Sequence, residues 1–156
     1  MNDYPQKNIT KQVKKIYPES TVINNKKNLG FASNVNKGVL KAKRNYVFLM
    51  NSDVVLKDNS FLNALDYFKK NRRLFAVGFA QIEKDGKIVG ANRGYFKNGL
   101  INHSHLSSNI YHLTSNFWAE GGSSIFKKKL LIDLGLLDEL FNPFYWEDID
   151  LSYRAW

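Results

Sequence analysis

Apolar residues recur at helical spacing in several parts of the chain. Ile9, Val13 and Ile16 alternate with lysines until Pro18 ends the pattern, which predicts an amphipathic helix over residues 6–17. The same kind of stripe predicts the other helices, which are expected at residues 31–42, 61–68, 128–134 and 147–156.

Strands are predicted between these helices. Residues 46–50 form a continuous apolar run that ends abruptly at a polar loop, as a fully buried and usually parallel strand does. Shorter strands are expected at residues 21–24, 74–79 and 123–126. The alternation of helices and strands predicts an α/β fold with a mixed, mostly parallel sheet flanked by helices. At 156 residues, the chain has the length of a single domain, 1–156.

Residues 82–112 show no clear periodicity. Asp85-Gly86 suits a hairpin turn, and several glycines and all three histidines, His103, His105 and His112, lie in this region. The histidines could form a metal set, but nothing in the pattern fixes their geometry, so we interpret them as surface or loop residues. The region is expected to leave the sheet and return near Trp118.

Composition narrows the chemistry. Without cysteine there is neither a disulfide nor a thiolate metal site, and a cytoplasmic setting is the default. No apolar run approaches the ~18 residues of a membrane span, so we expect a soluble chain. The net charge of +9 is uneven, with 15 basic against 5 acidic residues in 1–78 and 8 against 9 in 79–156. A basic half attracts nucleotides, nucleic acids or anionic lipids, and it can equally be a solvated surface.

The polar loop Asn51-Ser52-Asp53 is the first candidate site. Open α/β sheets bind their ligands at the carboxyl ends of strands, where a carboxylate can hold a hard divalent cation that bridges phosphates. Asp53 could instead cap a helix or shape a turn.

The second candidate is the acidic start of the last predicted helix, Trp146-Glu147-Asp148. A carboxylate within reach of a hydroxyl can act as a general base. The alternative is that both acids complement the dipole of the helix.

The third candidate is Gly121-Gly122, which precedes a predicted strand. Paired glycines allow close approach of a ligand to the backbone, although they also form ordinary turns. Neither a Walker pattern nor GxGxxG occurs, so the phosphate-cradle signal is weak.

Taken in order, these segments resemble glycosyltransferase family 2, which has the GT-A fold of nucleotide-diphospho-sugar transferases. The similar segments are NLGFASNVNKG (28–38), YVFLMNSD (46–53), residues 118–126, and LGLLDELFNPFYWEDIDLSYRAW (134–156). They span about 130 residues, and together they are far more specific than any one of them.

The resemblance implies a role for each matching residue. Asp53 would bind Mg²⁺ or Mn²⁺ with the diphosphate of a nucleotide sugar, beside Asn51, which replaces the first acid of the family's DxD motif. Asp148 would be the catalytic base and Glu147 its neighbour. Asn28 and Asn36 would line the nucleotide side, and the acceptor side would contain Trp118, Gly121, Gly122 and Trp146. The implied reaction is metal-dependent, inverting transfer of a sugar to a saccharide or lipid-linked hydroxyl.

The resemblance also implies that the family's first two strands and its final helix are missing, so the chain would be a partial catalytic domain, truncated at both ends. An open sheet edge would then favour an unstable chain, a homodimer or a partner that supplies strands. A catalytically inactive GT-A-like binding module is therefore the alternative to an enzyme.

The lysine-rich first helix permits peripheral contact with the inner face of a membrane. A nucleic-acid partner is not expected, since no such signature accompanies the charge. Rhamnose, galactose, glucose and an N-acetylated sugar all stay open as the donor sugar.

Overall fold

The computed structural model describes residues 1–106 and 114–156, which form helices on two faces of a small sheet and a separate group of β-strands. His112, which was interpreted as a surface or loop histidine, lies outside the described residues. The α-helices are α1 (Thr10–Ile16), α2 (Phe31–Lys41), α3 (Ala64–Lys70), α4 (Lys128–Asp133) and α5 (Glu147–Ala155). The strands are β1 (Tyr46–Met50), β2 (Ala76–Gly78), β3 (Gln81–Ile82), β4 (Ile88–Lys97), β5 (Leu100–Leu106) and β6 (Ser123–Lys127). Short 3₁₀ turns cover Ser60–Asn63 and Glu139–Phe141.

The central sheet has the order β1-β6-β2, and both outer strands run antiparallel to β6. The predicted predominance of parallel pairs is therefore not confirmed. β1 is apolar throughout because helices pack on both faces of the sheet. This burial does not depend on whether the neighbouring strand is parallel or antiparallel. In the described part of the chain, β1 has a ladder partner on one side only.

Alternating residues of the sheet contribute side chains to two hydrophobic cores, one on each face. Val47 and Leu49 of β1 pack with Phe126 of β6 toward α2, α4 and α5. Phe48 and Ile125 face the other way and pack with Phe68 of α3. The sheet is thus the middle of three layers, as the predicted α/β architecture requires.

The N-terminal segment is less regular than predicted. Residues 21–24 form no extended strand and contribute only an isolated parallel bridge between Asn2 and Asn24. α1 is shorter than predicted and has no buried residue; Ile16 is 70% exposed. None of the helices in the described ranges is long and apolar enough to cross a membrane.

Residues 81–106 form the second sheet, of order β3-β4-β5. The predicted turn at Asp85-Gly86 is confirmed, since it joins β3 to β4. A second hairpin, not predicted, joins β4 to β5 through Asn98 and Gly99, which both have positive φ (52° and 76°). Within the region without apparent periodicity, the described residues up to 106 therefore form a pair of antiparallel hairpins.

Candidate functional site

Strand β1 delivers the Asn51-Ser52-Asp53 loop to the Gly121-Gly122 turn. The backbone N–H of Asn51 donates to the carbonyl of Gly122 at 3.0 Å, which continues the pairing of β1 with β6. A Cβ on Gly122 would lie 2.5 Å from Nδ2 of Asn51, so the Asn51 side chain packs directly against the glycine backbone and a larger residue at 122 would displace it. Asn51 and Asp53 are both exposed beyond the strand.

Helix α5 places Asp148 against the neighbouring glycine of the same turn. Its Oδ2 accepts the N–H of Gly121 at 3.2 Å, and its Oδ1 accepts the N–H of Ile149 at 2.8 Å. The structure therefore brings Asn51 and Asp148, two of the predicted site residues, against adjacent glycines.

The environment of Asp148 suits a general base. Burial raises the pKa of its carboxyl above the usual aspartate value, while the N–H groups of Gly121 and Ile149 and the electrostatic effect of His103 act in the opposite direction. A raised pKa makes the carboxylate a better proton acceptor near neutral pH.

The carboxylate of Glu147 has fewer groups to stabilise its charge than that of Asp148. It is only 6% exposed, and its Oε2 has no hydrogen-bond partner among the residues that the structure describes. Burial raises the pKa of Glu147, and the negative charge of Asp148 raises it further. Glu147 therefore adds negative potential beside Asp148 at a cost in stability.

The predicted acceptor-side tryptophans are joined by a histidine from β5. The ring of His103 lies 5.4 Å from that of Trp118 and 5.3 Å from that of Trp146, edge-on to both. Trp118 is 4% exposed, and the neighbouring N–H of Ala119 donates to Oγ of Ser152 in α5. Trp146 is 40% exposed. These rings form a wall on the Asp148 side of the site.

Sequence reasoning missed this contribution of the β4–β5 hairpin. The alternating positions of His103 and His105 were a usable signal, because residues two apart in a strand share a face. Asn98-Gly99 was a second one, since Asn-Gly between apolar runs is a strong hairpin signal.

The two predicted nucleotide-side asparagines lie in different surroundings. Asn28 is exposed, and its Oδ1 accepts the N–H of Gly30 at the start of α2. Asn36 is buried, and its amide exchanges hydrogen bonds with the backbone of Leu137 at 2.8 and 3.0 Å. The amide of Asn36 thus ties α2 to the segment before α5, and a nucleotide contact by either residue stays a prediction.

Metal binding would have to rely on the substrate for most ligands. In residues 1–106 and 114–156, no three His, Asp or Glu side chains cluster as a metal site would require. Asp53 supplies one exposed carboxylate, with the Asn51 carbonyl oxygen two residues away. Such oxygen donors suit Mg²⁺, which proteins commonly bind through one or two carboxylates together with substrate phosphates and water.

A cavity lies beside the site. That cavity, of about 780 Å³, is bounded by β2, Trp118 and Glu120, and Asp53 and Asp148 are outside its lining. We assign the chemistry to the Asn51–Asp148 region because Asn51 and Asp148 approach the adjacent glycines there.

Comparison with known proteins decides the family. The sequence profile of glycosyl transferase family 2 matches residues 1–135. The chain belongs to glycosyltransferase family 2. The α/β architecture fits part of the GT-A fold, and the glycine turn and the Asn51–Asp53 loop fall within the matched range.

Curated relatives support the same assignment. Two Staphylococcus epidermidis sequences named poly-β-1,6-N-acetyl-D-glucosamine synthase are 28% identical to this family 2 chain over 128 residues. The alignment covers 81% of the chain and 30% of each relative, so the chain spans less than a third of their length.

Proposed function

We propose that this chain carries the catalytic site of an inverting glycosyltransferase, which moves a sugar from a nucleotide-diphosphate sugar to a hydroxyl of a saccharide or lipid-linked acceptor. The observation that carries the proposal is the convergence of the Asn51–Asp53 loop and Asp148 on Gly121-Gly122. A donor diphosphate at the loop and an acceptor hydroxyl at Asp148 would then be neighbours.

The reaction follows from the groups present. Asp148 takes the proton of the acceptor hydroxyl while that oxygen forms a bond to the anomeric carbon. The bond from the anomeric carbon to the diphosphate breaks, and the nucleoside diphosphate leaves with the electron pair. Attack opposite the leaving group inverts the configuration at that carbon.

Asp53, with Asn51, would hold Mg²⁺ or Mn²⁺ together with the donor diphosphate. The chemistry that a bound ion would supply is neutralisation of the charge on the departing diphosphate. Through such a contact, Asp53 would hold the diphosphate beside the glycine turn.

The relatives' printed name makes N-acetylglucosamine the first donor sugar to test and polysaccharide biosynthesis the first process to consider. The proposal includes a cytoplasmic location at the inner face of a membrane, which the absence of cysteine and the exposed lysines of α1 support.

The decisive experiment compares Asp148→Asn with Asp150→Asn, a second acid in the first turn of α5 that pairs with Arg154. Transfer is measured with UDP-N-acetylglucosamine, UDP-glucose, UDP-galactose and dTDP-rhamnose onto N-acetylglucosamine oligosaccharides. Loss of the base should lower transfer by about 100-fold to 10,000-fold in Asp148→Asn, while Asp150→Asn stays near wild type.

Calorimetric binding of UDP with Mn²⁺ gives the complementary measurement. Asp148→Asn should keep the wild-type affinity, because the base does not contact the diphosphate. Binding without transfer in the wild-type chain would favour the alternative, a GT-A-like binding module without turnover.

A further inference from the structure

The β4–β5 hairpin is fixed against the candidate site. A Cβ on Gly94 would lie 2.1 Å from the ring of Phe117, so this ring packs directly against the backbone of β4 because residue 94 is glycine. Phe96 and Phe117 also pack edge-on or tilted against Tyr153 of α5, at 6.5 and 6.4 Å between ring centres. The hairpin is therefore docked on the helix that carries Asp148.

A β-bulge in β4 turns a buried amide toward the histidines of β5. The register shifts between Gly90 and Arg93, and Ala91 has a φ of 49°, which is uncommon for a residue with a side chain. The next residue, Asn92, is 4% exposed and points into the hairpin. Bulges often re-aim a side chain beside a functional site.

Asn92 fixes the tautomer of His105. Its Nδ2 donates to the carbonyl of Trp118 at 3.2 Å and to Oε1 of Glu120 at 3.1 Å, so its Oδ1 is the atom that faces Nδ1 of His105 at 2.7 Å. A carbonyl oxygen only accepts, and Nδ1 must carry the proton. In the neutral ring, Nε2 of His105 is then left as a hydrogen-bond acceptor.

Glu120 links this amide to the glycine turn. Gln81 and Ser123 donate to its Oε2, and Asn92 donates to its Oε1. Glu120 immediately precedes Gly121, whose N–H binds Asp148. Hydrogen bonds thus link His105 through Asn92 to Glu120, which is the residue next to the Gly121 that binds Asp148.

We propose that His103, His105 and Trp146 form a subsite for the sugar ring of the acceptor, with the buried Trp118 packed against both histidine rings as their support. This inference rests on the proposed function. Exposed aromatic edges and faces accommodate the apolar C–H surface of a pyranose, and Nε2 of His105 accepts a hydrogen bond from a sugar hydroxyl. Trp146 immediately precedes Glu147-Asp148, and the ring of His103 contacts that of Trp146. The subsite therefore adjoins Asp148, the group that takes the proton of the acceptor hydroxyl in the proposed function.

The test uses four variants of the chain: His103→Ala, His103→Phe, His105→Ala and, as a control at the tip of the hairpin, Lys97→Ala. His103→Ala and His105→Ala should raise the acceptor KM about tenfold, with the KM for the nucleotide sugar within twofold of wild type. His103→Phe keeps an aromatic ring at this position and should recover part of the loss. Lys97→Ala should match the wild type in all constants.

Acceptor binding is measured separately by quenching of tryptophan fluorescence with the N-acetylglucosamine oligosaccharides of the transfer assay. Saturable quenching in the wild type, with an acceptor affinity about tenfold weaker in His103→Ala, supports the subsite even where no transfer occurs. The binding measurement therefore tests the subsite independently of the proposed catalytic activity. The inference is overturned if neither histidine variant changes acceptor KM or quenching. It is also overturned if donor and acceptor constants worsen together with a lowered melting temperature, because the hairpin would then be only structural.

Discussion

At the scale of single residues, the site combines two carboxylates in different surroundings. Asp148 has two backbone N–H groups to stabilise its negative charge, whereas Oε2 of Glu147 has no partner in the described ranges. Charge without compensation is costly in a buried position. The start of α5 is therefore organised for chemistry at the expense of stability.

Replacing Glu147 by glutamine should stabilise the chain at neutral pH. The pKa of Glu147 is raised above its reference value of 4.5, so the folded chain carries no ionisation cost below that pH and the full cost once the pH exceeds the folded-state pKa. Glu147→Gln should thus raise the melting temperature at pH 7 by about 2–4 °C, equivalent to about 1 kcal/mol for a domain of this size. The gain should vanish near pH 4.

Asp150→Asn is the matched control in thermal melts, since Asp150 accepts two hydrogen bonds from Arg154 at 2.7 and 2.9 Å. Loss of that pair should lower the melting temperature. A Glu147→Gln chain that melts at or below the wild-type temperature at pH 7 would refute the idea that the carboxylate is destabilising.

At the scale of elements, sequence patterns predicted those helices and strands whose positions depend on the local pattern of apolar and polar residues. The apolar run of β1, the stripe of α2 and the acidic start of α5 were all found near their predicted bounds, because burial and helix geometry leave clear periodicities. Strand direction in the sheet was not predictable, since β6 joins β1 from a distance of more than 70 residues. The contact of His103 with the site depends on the same long-range docking and could not be read from spacing.

Helix α1 is the element whose role is still to be measured. None of its residues is buried, and it presents Lys14 and Lys15 beside the exposed Ile16 and Tyr17. Lysines beside exposed apolar groups favour contact with an anionic membrane surface. We expect the chain to co-sediment with phosphatidylglycerol-containing vesicles and to be released as salt is added.

The lysines of α1 can be tested by charge reversal. A Lys14→Glu/Lys15→Glu double variant should weaken vesicle binding at least about tenfold, because each lysine near an anionic surface contributes about 1 kcal/mol. Lys84→Glu/Lys97→Glu makes the same change of charge on the hairpins and should bind nearly as the wild type does. Equal losses in both double variants would mean that only net charge matters.

At the scale of the whole molecule, the outer edge of β1 has no ladder partner among the described residues. Asn51 donates to Gly122, and the carbonyl of Asn45 accepts from Lys128, so odd-numbered residues of this stretch bond to β6. The N–H and C=O groups of Tyr46, Phe48 and Met50 therefore point toward the opposite edge. An uncharged apolar edge strand invites pairing with another chain.

We expect the chain to dimerise through β1 in a concentration-dependent way. Met50 is 48% exposed and its N–H lies on the outer edge, so Met50→Pro removes an edge donor without breaking a bond to β6. Analytical ultracentrifugation should show dimers for the wild type and for the control Met50→Ala, which shortens the side chain but keeps the N–H, and monomers for Met50→Pro. A wild type that stays monomeric at all concentrations, or identical behaviour of the two variants, would show that the edge does not mediate association.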